Sequence, residues 1–298
     1  MEKPAVSIVV PLYNKAAYVE QCLQSLAAQT LREIEVIVID DGSTDGGGEV
    51  AMAFCESDKR FRCIRQDNAG VSAALNRGLA LACGTYIGRV DADDWVEPKM
   101  YERLYDTAVS SDAALVRCGY LRAYTDGTTR EMSCCKVPEQ RNGLWCFEKL
   151  FGKVFVPFMS TALGIYHRDT LKAADITYPV ELNNLEDIFF NARFYALDLP
   201  VALIPDCLYH YREDPDSASQ KPPINLREQF DTFDTLMRKQ VLDVLSNTPR
   251  YKKLRAAYGR YRRVARMSIA ADMTAYGVGG IGAQMLRVAR SVRRKLRR

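Results

Sequence analysis

The chain has 298 residues, with 41 Lys or Arg, 37 Asp or Glu and 2 His, and 48% of its residues are hydrophobic. These proportions belong to a globular protein and exclude disordered, collagen-like and low-complexity architectures. No apolar run approaches the ~18 residues of a spanning helix, and Met1-Glu2-Lys3-Pro4 passes directly into a strand pattern, so neither a transmembrane segment nor a signal peptide is expected.

The net charge of +4 hides an asymmetry. Residues 250–298 hold 15 basic residues and one acid, Asp272, whereas the 249 residues before them hold 26 basic and 36 acidic ones. The body is acidic and the tail strongly basic, which points the tail toward an anionic partner. The 9 cysteines include no CxxC pair, so reduced thiols in a cytosol are expected, with Cys134 and Cys135 as small apolar fillers. Only His167 and His210 could join cysteines in a zinc site, and the spacing for one is absent.

In chain order, Val6–Val10 is a continuous β-branched run, the pattern of a strand buried on both faces. Asn14 is placed to cap the next helix, whose Val19, Cys22, Leu23 and Leu26 share one face. Strand Val36–Ile39, a helix around Val50–Cys55, strand Phe61–Ile64, helix Ser72–Ala82 and strand Tyr86–Val90 follow. This alternation predicts an α/β fold with a parallel sheet. Gly46-Gly47-Gly48 fits neither phosphate-loop pattern and is read as a flexible loop.

The rhythm changes from about residue 113. Ala114–Leu121 and Thr128–Met132 read as strands around an Asp126–Gly127 turn, and Phe147–Phe151, Arg168–Ala174 and Asp187–Leu197 as helices. Val201–Ile204 and Cys207–Tyr211 read as two short strands, Glu213–Pro223 as a mobile lid, and Leu226–Leu245, Tyr251–Tyr276 and Ile281–Leu296 as helices.

Ligands of such sheets gather beyond the carboxyl ends of the strands, so the residues there carry the chemistry. Strand four runs into Asp91-Ala92-Asp93-Asp94, strand two into Asp40-Asp41-Gly42-Ser43-Thr44-Asp45, and strand three into Gln66-Asp67-Asn68. Clustered carboxylates repel one another, which implies a hard cation or a donor-rich ligand. Asp91-Ala92-Asp93 could reach a divalent ion that bridges nucleotide phosphates, or form a polar turn with Asp94 as a cap. Asp41 could accept from a base or ribose, while Ser43 or Thr44 could cap the following helix. Glu186-Asp187 opens a helix, where a carboxylate also suits the helix N-terminus alone. His210 and Arg212, beside the expected lid, suit a diphosphate, and no GxSxG elbow supports a hydrolase.

Taken in order, VSIVVPLYN (6–14), IDDGSTDG (39–46), NAGVSAALNRGL (68–79), DADDW (91–95), LED (185–187) and YHYR (209–212) resemble the family 2 glycosyltransferases with the GT-A fold, over about residues 4–220. The resemblance implies a Rossmann-like, mostly parallel sheet with helices on both faces, plus a helical C-terminal extension. The catalytic domain would be 1–220, with a nucleotide-binding half to about 112 and an acceptor half from 113, and 221–298 would be helical with a basic amphipathic tail.

The same resemblance implies an inverting, single-displacement transfer from a nucleotide sugar, UDP-linked, to a glycan or lipid-linked acceptor. Asp187 would be the base, Asp41 would accept the uracil N–H, and Pro11, Tyr13 and Asn68 would line the base pocket. Asp91 and Asp93 would hold Mn²⁺ or Mg²⁺, with His210 and Arg212 on the diphosphate side. Leu75 stands where many relatives carry an Arg. Two other readings are an inactive nucleotide-sugar-binding scaffold and a sugar nucleotidyltransferase. The second wants a Gly-rich basic loop after strand one, which Pro11-Leu12-Tyr13-Asn14 does not supply.

Ile281, Met285, Leu286, Val288, Ala289, Val292 and Leu296 recur at helical spacing, with Arg287, Arg290, Arg294, Arg297 and Arg298 largely off that face. A basic amphipathic helix of this kind suits an anionic membrane surface, so the expected location is cytoplasmic and peripheral on the inner face of the cell membrane. Nucleic acid is not expected, because no aromatics interleave with these cations.

Overall fold

The computed structural model describes residues 3–152, 156–213 and 225–270. The expected lid, apart from Glu213, and the tail helix 281–296 lie outside the described residues. The described residues divide into two compact units: those within 1–141, 161–180 and 199–213 form the first, and those within 142–160, 181–198 and 214–298 the second.

The first unit opens with β1 (Val6–Leu12), α1 (Val19–Ala27), β2 (Ile34–Asp40), α2 (Gly47–Ser57), β3 (Phe61–Arg65), α3 (Val71–Leu81) and β4 (Tyr86–Arg89), as the hydrophobic pattern predicts. β1 is buried at every residue except Pro11, which is what a strand covered on both faces requires. Val19, Cys22, Leu23 and Leu26 of α1 are all buried. β2 and β4 flank β1 in parallel, with Val9 opposite both Ile37 and Arg89, and β3 adds in parallel to the far edge of β2.

Beyond β4 come β5 (Trp95–Val96), α4 (Met100–Ser111), β6 (Leu115–Ala123), β7 (Thr129–Met132), β8 (Glu139–Asn142), α5 (Gly143–Gly152), α6 (Val156–Met159), β9 (Gly164–His167), α7 (Arg168–Ala173), α8 (Glu186–Ala196) and β10 (Pro200–Arg212). The sheet has the order β3-β2-β1-β4-β9-β6-β10-β5, with β7 on β6. β9 enters antiparallel between β4 and β6, while β6 and β10 are parallel. The expected α/β fold with a mostly parallel sheet is therefore present, interrupted by antiparallel β5, β7 and β9.

Three local expectations need correction. Val201–Ile204 and Cys207–Tyr211 are one strand, β10, whose register on β6 shifts between Leu203 and Cys207. Pro205-Asp206 breaks the apolar pattern, and Pro lacks a ladder N–H, so the strand passes the break by an irregularity and continues. Asn14 does not cap α1, whose N-cap is Tyr18; it sits at φ 51° and joins two loops described below. Gly47 and Gly48 are not flexible loop. They are the buried first residues of α2, and a Cβ at Gly48 would collide with the Asp40 carboxylate.

The second unit is helical: α5, α6, α8, α9 (Leu226–Met237), a π-helical turn (Arg238–Leu242) and α10 (Tyr251–Ala270). The expected helix 226–245 therefore loses its α geometry at Arg238. Phe147, Phe189, Phe230, Phe233 and Tyr258 are at most 1% exposed and form an aromatic core. Buried within it, Asp234 accepts from Tyr258 Oη at 2.9 Å, Arg262 Nε at 2.6 Å and Arg266 Nη2 at 3.1 Å. Burial raises the Asp234 pKa, but the hydrogen bonds from Arg262 and Tyr258 and the Arg262 and Arg238 charges more than offset it, leaving the group below its ordinary value. Leu254, Ala257, Tyr258, Tyr261 and Ala265 of α10 face inward, and Lys252, Lys253, Arg255, Arg260 and Arg263 are exposed. No described helix is long and apolar enough to cross a membrane.

Candidate functional site

The loops after β1, β2, β3 and β4 meet at the carboxyl edge of the first unit and are tied together by side chains that the sequence offers at their tips. Asn14 accepts the Thr44 N–H on its side-chain oxygen at 2.8 Å, and its own N–H donates to Ser43 Oγ at 3.1 Å. Asp40, fully buried, accepts the Ser43 N–H at 2.9 Å and lies 3.6 Å from Arg65 Nε. Asp45 accepts the Ala16 N–H at 2.8 Å. Gly42 turns this loop at φ +77°, with its Cα facing the Asn68 backbone.

Asp41 is 3% exposed. Its Oδ1 accepts from Gln66 Nε2 at 2.8 Å and from the Ala69 N–H at 2.9 Å, and its Oδ2 from the Gly70 N–H at 2.9 Å. It thereby organises the 66–70 turn, on which Asn68 is exposed. Arg77 Nη1 reaches Gln66 Oε1 at 3.2 Å, so α3 contacts this network through Arg77, while Leu75 is buried. Gly42, Arg65, Gln66, Asp67 and Asn68 line a cavity of about 570 Å³. Pro11 is half-buried at the end of β1 and Tyr13 is 48% exposed on the following loop.

After β4, three carboxylates fall within four residues, and each has its own compensation. Asp91 Oδ1 accepts from Arg89 Nε at 2.9 Å and Nη2 at 2.6 Å. Asp93 Oδ2 is 2.5 Å from Lys15 Nζ. Asp94, 3% exposed, accepts from Tyr209 Oη at 2.6 Å and from the Arg212 N–H at 2.8 Å. Burial, and then the charges of Asp93 and Asp91, hold the Asp94 carboxyl well above the usual range. Tyr209 Oη also accepts the Asp91 N–H at 3.2 Å, so one phenol fixes both ends of the turn.

Arg89 is 8% exposed and is held in place by Thr161 Oγ1 at 3.1 Å, which in turn receives Tyr178 Oη at 2.9 Å. The Tyr178 peptide is gripped by Asn76 at 2.8 Å in both directions, so the α3 motif braces the β4 turn through four residues.

Arg212 stands next to Asp93: its Nε donates to the Asp93 carbonyl oxygen at 2.8 Å and its Nη2 to Gln21 Oε1 at 2.5 Å. His210 Nε2 is 2.7 Å from Glu97 Oε1, and the imidazole stacks on Trp95 at 4.7 Å. Asp187 lies in the first turn of α8, half-buried, in the second unit. The first unit thus gathers Asp41 and Asn68 on one side and Asp91, Asp93 and Arg212 on the other. Lys15 and Arg89 have no part in the sequence reading, and Gln66, Trp95 and Tyr209 stand in it only as members of motifs, without a role. Arg89 is within reach of the sequence, two residues before Asp91, whereas Lys15 is 78 residues from Asp93 and the contacts of Tyr209 and Trp95 depend on the β5–β10 pairing, none of which a local pattern reveals.

A divalent ion of the kind implied by the resemblance takes hard oxygen ligands. Asp91 and Asp93 supply two, half-exposed, and no cluster of three or more His, Cys, Asp or Glu able to hold a metal occurs among the described residues. This donor set fits an ion completed by substrate phosphates, a common arrangement for Mg²⁺, rather than an all-protein cage.

The sequence profile described as Glycosyl transferase family 2 matches residues 7–170. EpsH and EpsJ of Bacillus subtilis are each 34% identical to the chain, over 71% and 74% of its length and 62% and 64% of their own. The chain therefore spans less than two thirds of either protein. The glycosyltransferase GlyG of Streptococcus pneumoniae is 32% identical over 70% of both chains. Among solved structures, S. aureus TarS 1–349 in complex with UDP-GlcNAc superposes with a TM-score of 0.73 at 21% identity, covering 89% of this chain and 75% of that one. The mannosyltransferase PcManGT of Pyrobaculum calidifontis, in complex with GDP-Man and Mn²⁺, gives a TM-score of 0.57 at 17% identity, covering 98% and 81%. The architecture is that of the GT-A fold, and the chain belongs to glycosyl transferase family 2.

Proposed function

We propose that the protein is an inverting glycosyltransferase that moves a sugar from a nucleotide donor, UDP-linked, to a hydroxyl of a glycan or lipid-linked acceptor. The observation that carries this reading is that Asp91 and Asp93 share one turn at the carboxyl edge of the sheet and that Arg212 is bonded to that turn at the Asp93 carbonyl oxygen, where a donor's diphosphate and a hard cation would neutralise one another. Family membership and the UDP-GlcNAc held by TarS support the donor class.

Asp41 is assigned to the nucleobase. A carboxylate has about four acceptor positions, and three are taken within the protein, which leaves one for a base N–H. Pro11, Tyr13 and Asn68 are assigned to the walls of the base pocket, and His210 and Arg212 to the diphosphate side. Asp91 and Asp93 are assigned to Mn²⁺ or Mg²⁺, which when bound would neutralise the departing diphosphate; the Mn²⁺ in PcManGT supports that choice. Asp187 is assigned the proton of the attacking hydroxyl, a role worth about 10²–10⁴-fold in rate. Residues 1–220 would be the catalytic region, and 281–298 would lie on an anionic membrane surface where a lipid-linked acceptor is at hand.

Calorimetric titration with UDP, UDP-sugars and GDP-mannose in the presence of Mn²⁺ tests the donor class. Binding of UDP-sugars, weakened in Asp41→Ala, is the expected result. Failure of the protein to bind any nucleotide sugar would refute it.

A further inference from the structure

The arrangement around Arg212 is more specific than a diphosphate contact requires. β5 is only two residues long, and it pairs antiparallel with the end of β10 so that Trp95 lies opposite His210. His210 and Arg212 are two apart on β10 and so share a face of the strand. Both rest against the Trp95 indole. The imidazole is 4.7 Å away at an interplanar angle of 12°, and the Arg212 guanidinium carbon is 4.6 Å from the ring centroid. A second ring, Tyr18, lies 4.7 Å from the same guanidinium carbon. Tyr18 is the N-cap residue of α1, so its place is set by the start of that helix.

In the plane of the guanidinium, Nε is used by the Asp93 carbonyl oxygen and Nη2 by Gln21. The main-chain N–H of Arg212 is used by Asp94. Among the described residues no acceptor is recorded for Nη1. Two aromatic rings thus lie against the group and two of its three nitrogens are anchored, which leaves Nη1 to serve an incoming anion. Cation–π contact fixes the plane of an Arg without consuming its donors, and an ordered side chain has less freedom to lose when a ligand binds.

We propose that Trp95 and Tyr18 are positioning residues that hold the Arg212 guanidinium in advance for the donor's terminal phosphate, with His210, anchored by Glu97, fixing the Trp95 ring. The proposal rests on the assignment of Arg212 to the diphosphate. It assigns Trp95, Tyr18 and Glu97 a role that acts through Arg212, and it gives His210, beside its place on the diphosphate side, the task of supporting the Trp95 ring.

The test compares UMP and UDP binding to the full chain by calorimetry, since the two ligands differ only in the terminal phosphate. Arg212→Ala should lower the preference for UDP over UMP by roughly tenfold or more, the loss of one charge-assisted hydrogen bond. Trp95→Leu and, separately, Tyr18→Leu should lower it too, with UMP affinity unchanged, and Trp95→Phe should restore most of it. Trp95→Leu added to Arg212→Ala should cause no further loss, because the aromatic residue acts only through the Arg. Unchanged UMP affinity also reports that each variant is folded. If Trp95→Leu and Tyr18→Leu keep the wild-type preference while Arg212→Ala loses it, the positioning role is overturned and the Arg212 assignment survives. If Arg212→Ala itself keeps the preference, the diphosphate assignment falls and the positioning role falls with it.

Discussion

Lys15 Nζ sits 2.5 Å from Asp93 Oδ2, so the acid expected to bind a metal is held by a cation of the protein itself. Both side chains are partly exposed, at 26% and 21%, so the pair contributes about 0.2–1 kcal/mol. A divalent ion at Asp93 competes with Lys15 for the same carboxylate. Lys15→Met is therefore expected to tighten Mn²⁺ binding by about two- to fivefold, read by calorimetry or by the loss of the free-ion electron paramagnetic resonance signal. Weaker Mn²⁺ binding in this variant would show that Lys15 supports the ion instead of competing with it.

Asp187→Asn keeps the shape and most of the hydrogen bonding of the side chain but cannot accept a proton. The variant is expected to bind UDP-sugar like the wild type and to lose turnover by about 10²–10⁴-fold. Turnover near the wild-type level would leave Asp187 as no more than a favourable charge at the start of α8.

The two units offer separate tests of packing. In the first, Gly48→Ala would drive a methyl group into the Asp40 carboxylate, and the expected loss is about 1–3 kcal/mol in urea unfolding. An unchanged midpoint would mean that the 40–48 segment yields freely.

In the second, Asp234 supplies the pH dependence. Its pKa is lowered in the folded state, so its contribution is fully present above the unfolded value of about 3.9 and is lost as pH falls through the lowered value. Asp234→Asn is expected to cost about 1.5–3 kcal/mol at neutral pH, where charge-assisted bonds from Arg262 and Arg266 are lost. The gap between variant and wild type should narrow in acid below about pH 4. A gap that stays constant into strong acid would show that Asp234 is not held ionised by these arginines.

Much of the fold could be read in advance where one segment carries its own signal. β1 through β4 and their helices follow the hydrophobic period, and the acidic tips follow the strand ends. β5 and β9 could not be read this way: two and four residues make no period, and both exist only through partners far along the chain. α4 did carry a signal, with Met100, Tyr101, Leu104 and Ala108 all buried, but it lies past the motifs that drew the reading. At the site, the acids Asp41, Asp91 and Asp93 were legible as clustered like charges. What balances them was not, because Lys15, Tyr209 and Arg212 reach them from other strands and loops, and only the assembled sheet edge shows which cation meets which acid.

The acidic edge of the first unit is proposed to serve nucleotide-sugar chemistry with a metal. Release of UDP from UDP-sugars, followed with and without chelator in the wild type and in Asp93→Ala, tests it most directly. The expected result is release by the wild type in Mn²⁺ or Mg²⁺ that falls to background in excess chelator and in the variant. Release that is indifferent to both the chelator and Asp93 would contradict it.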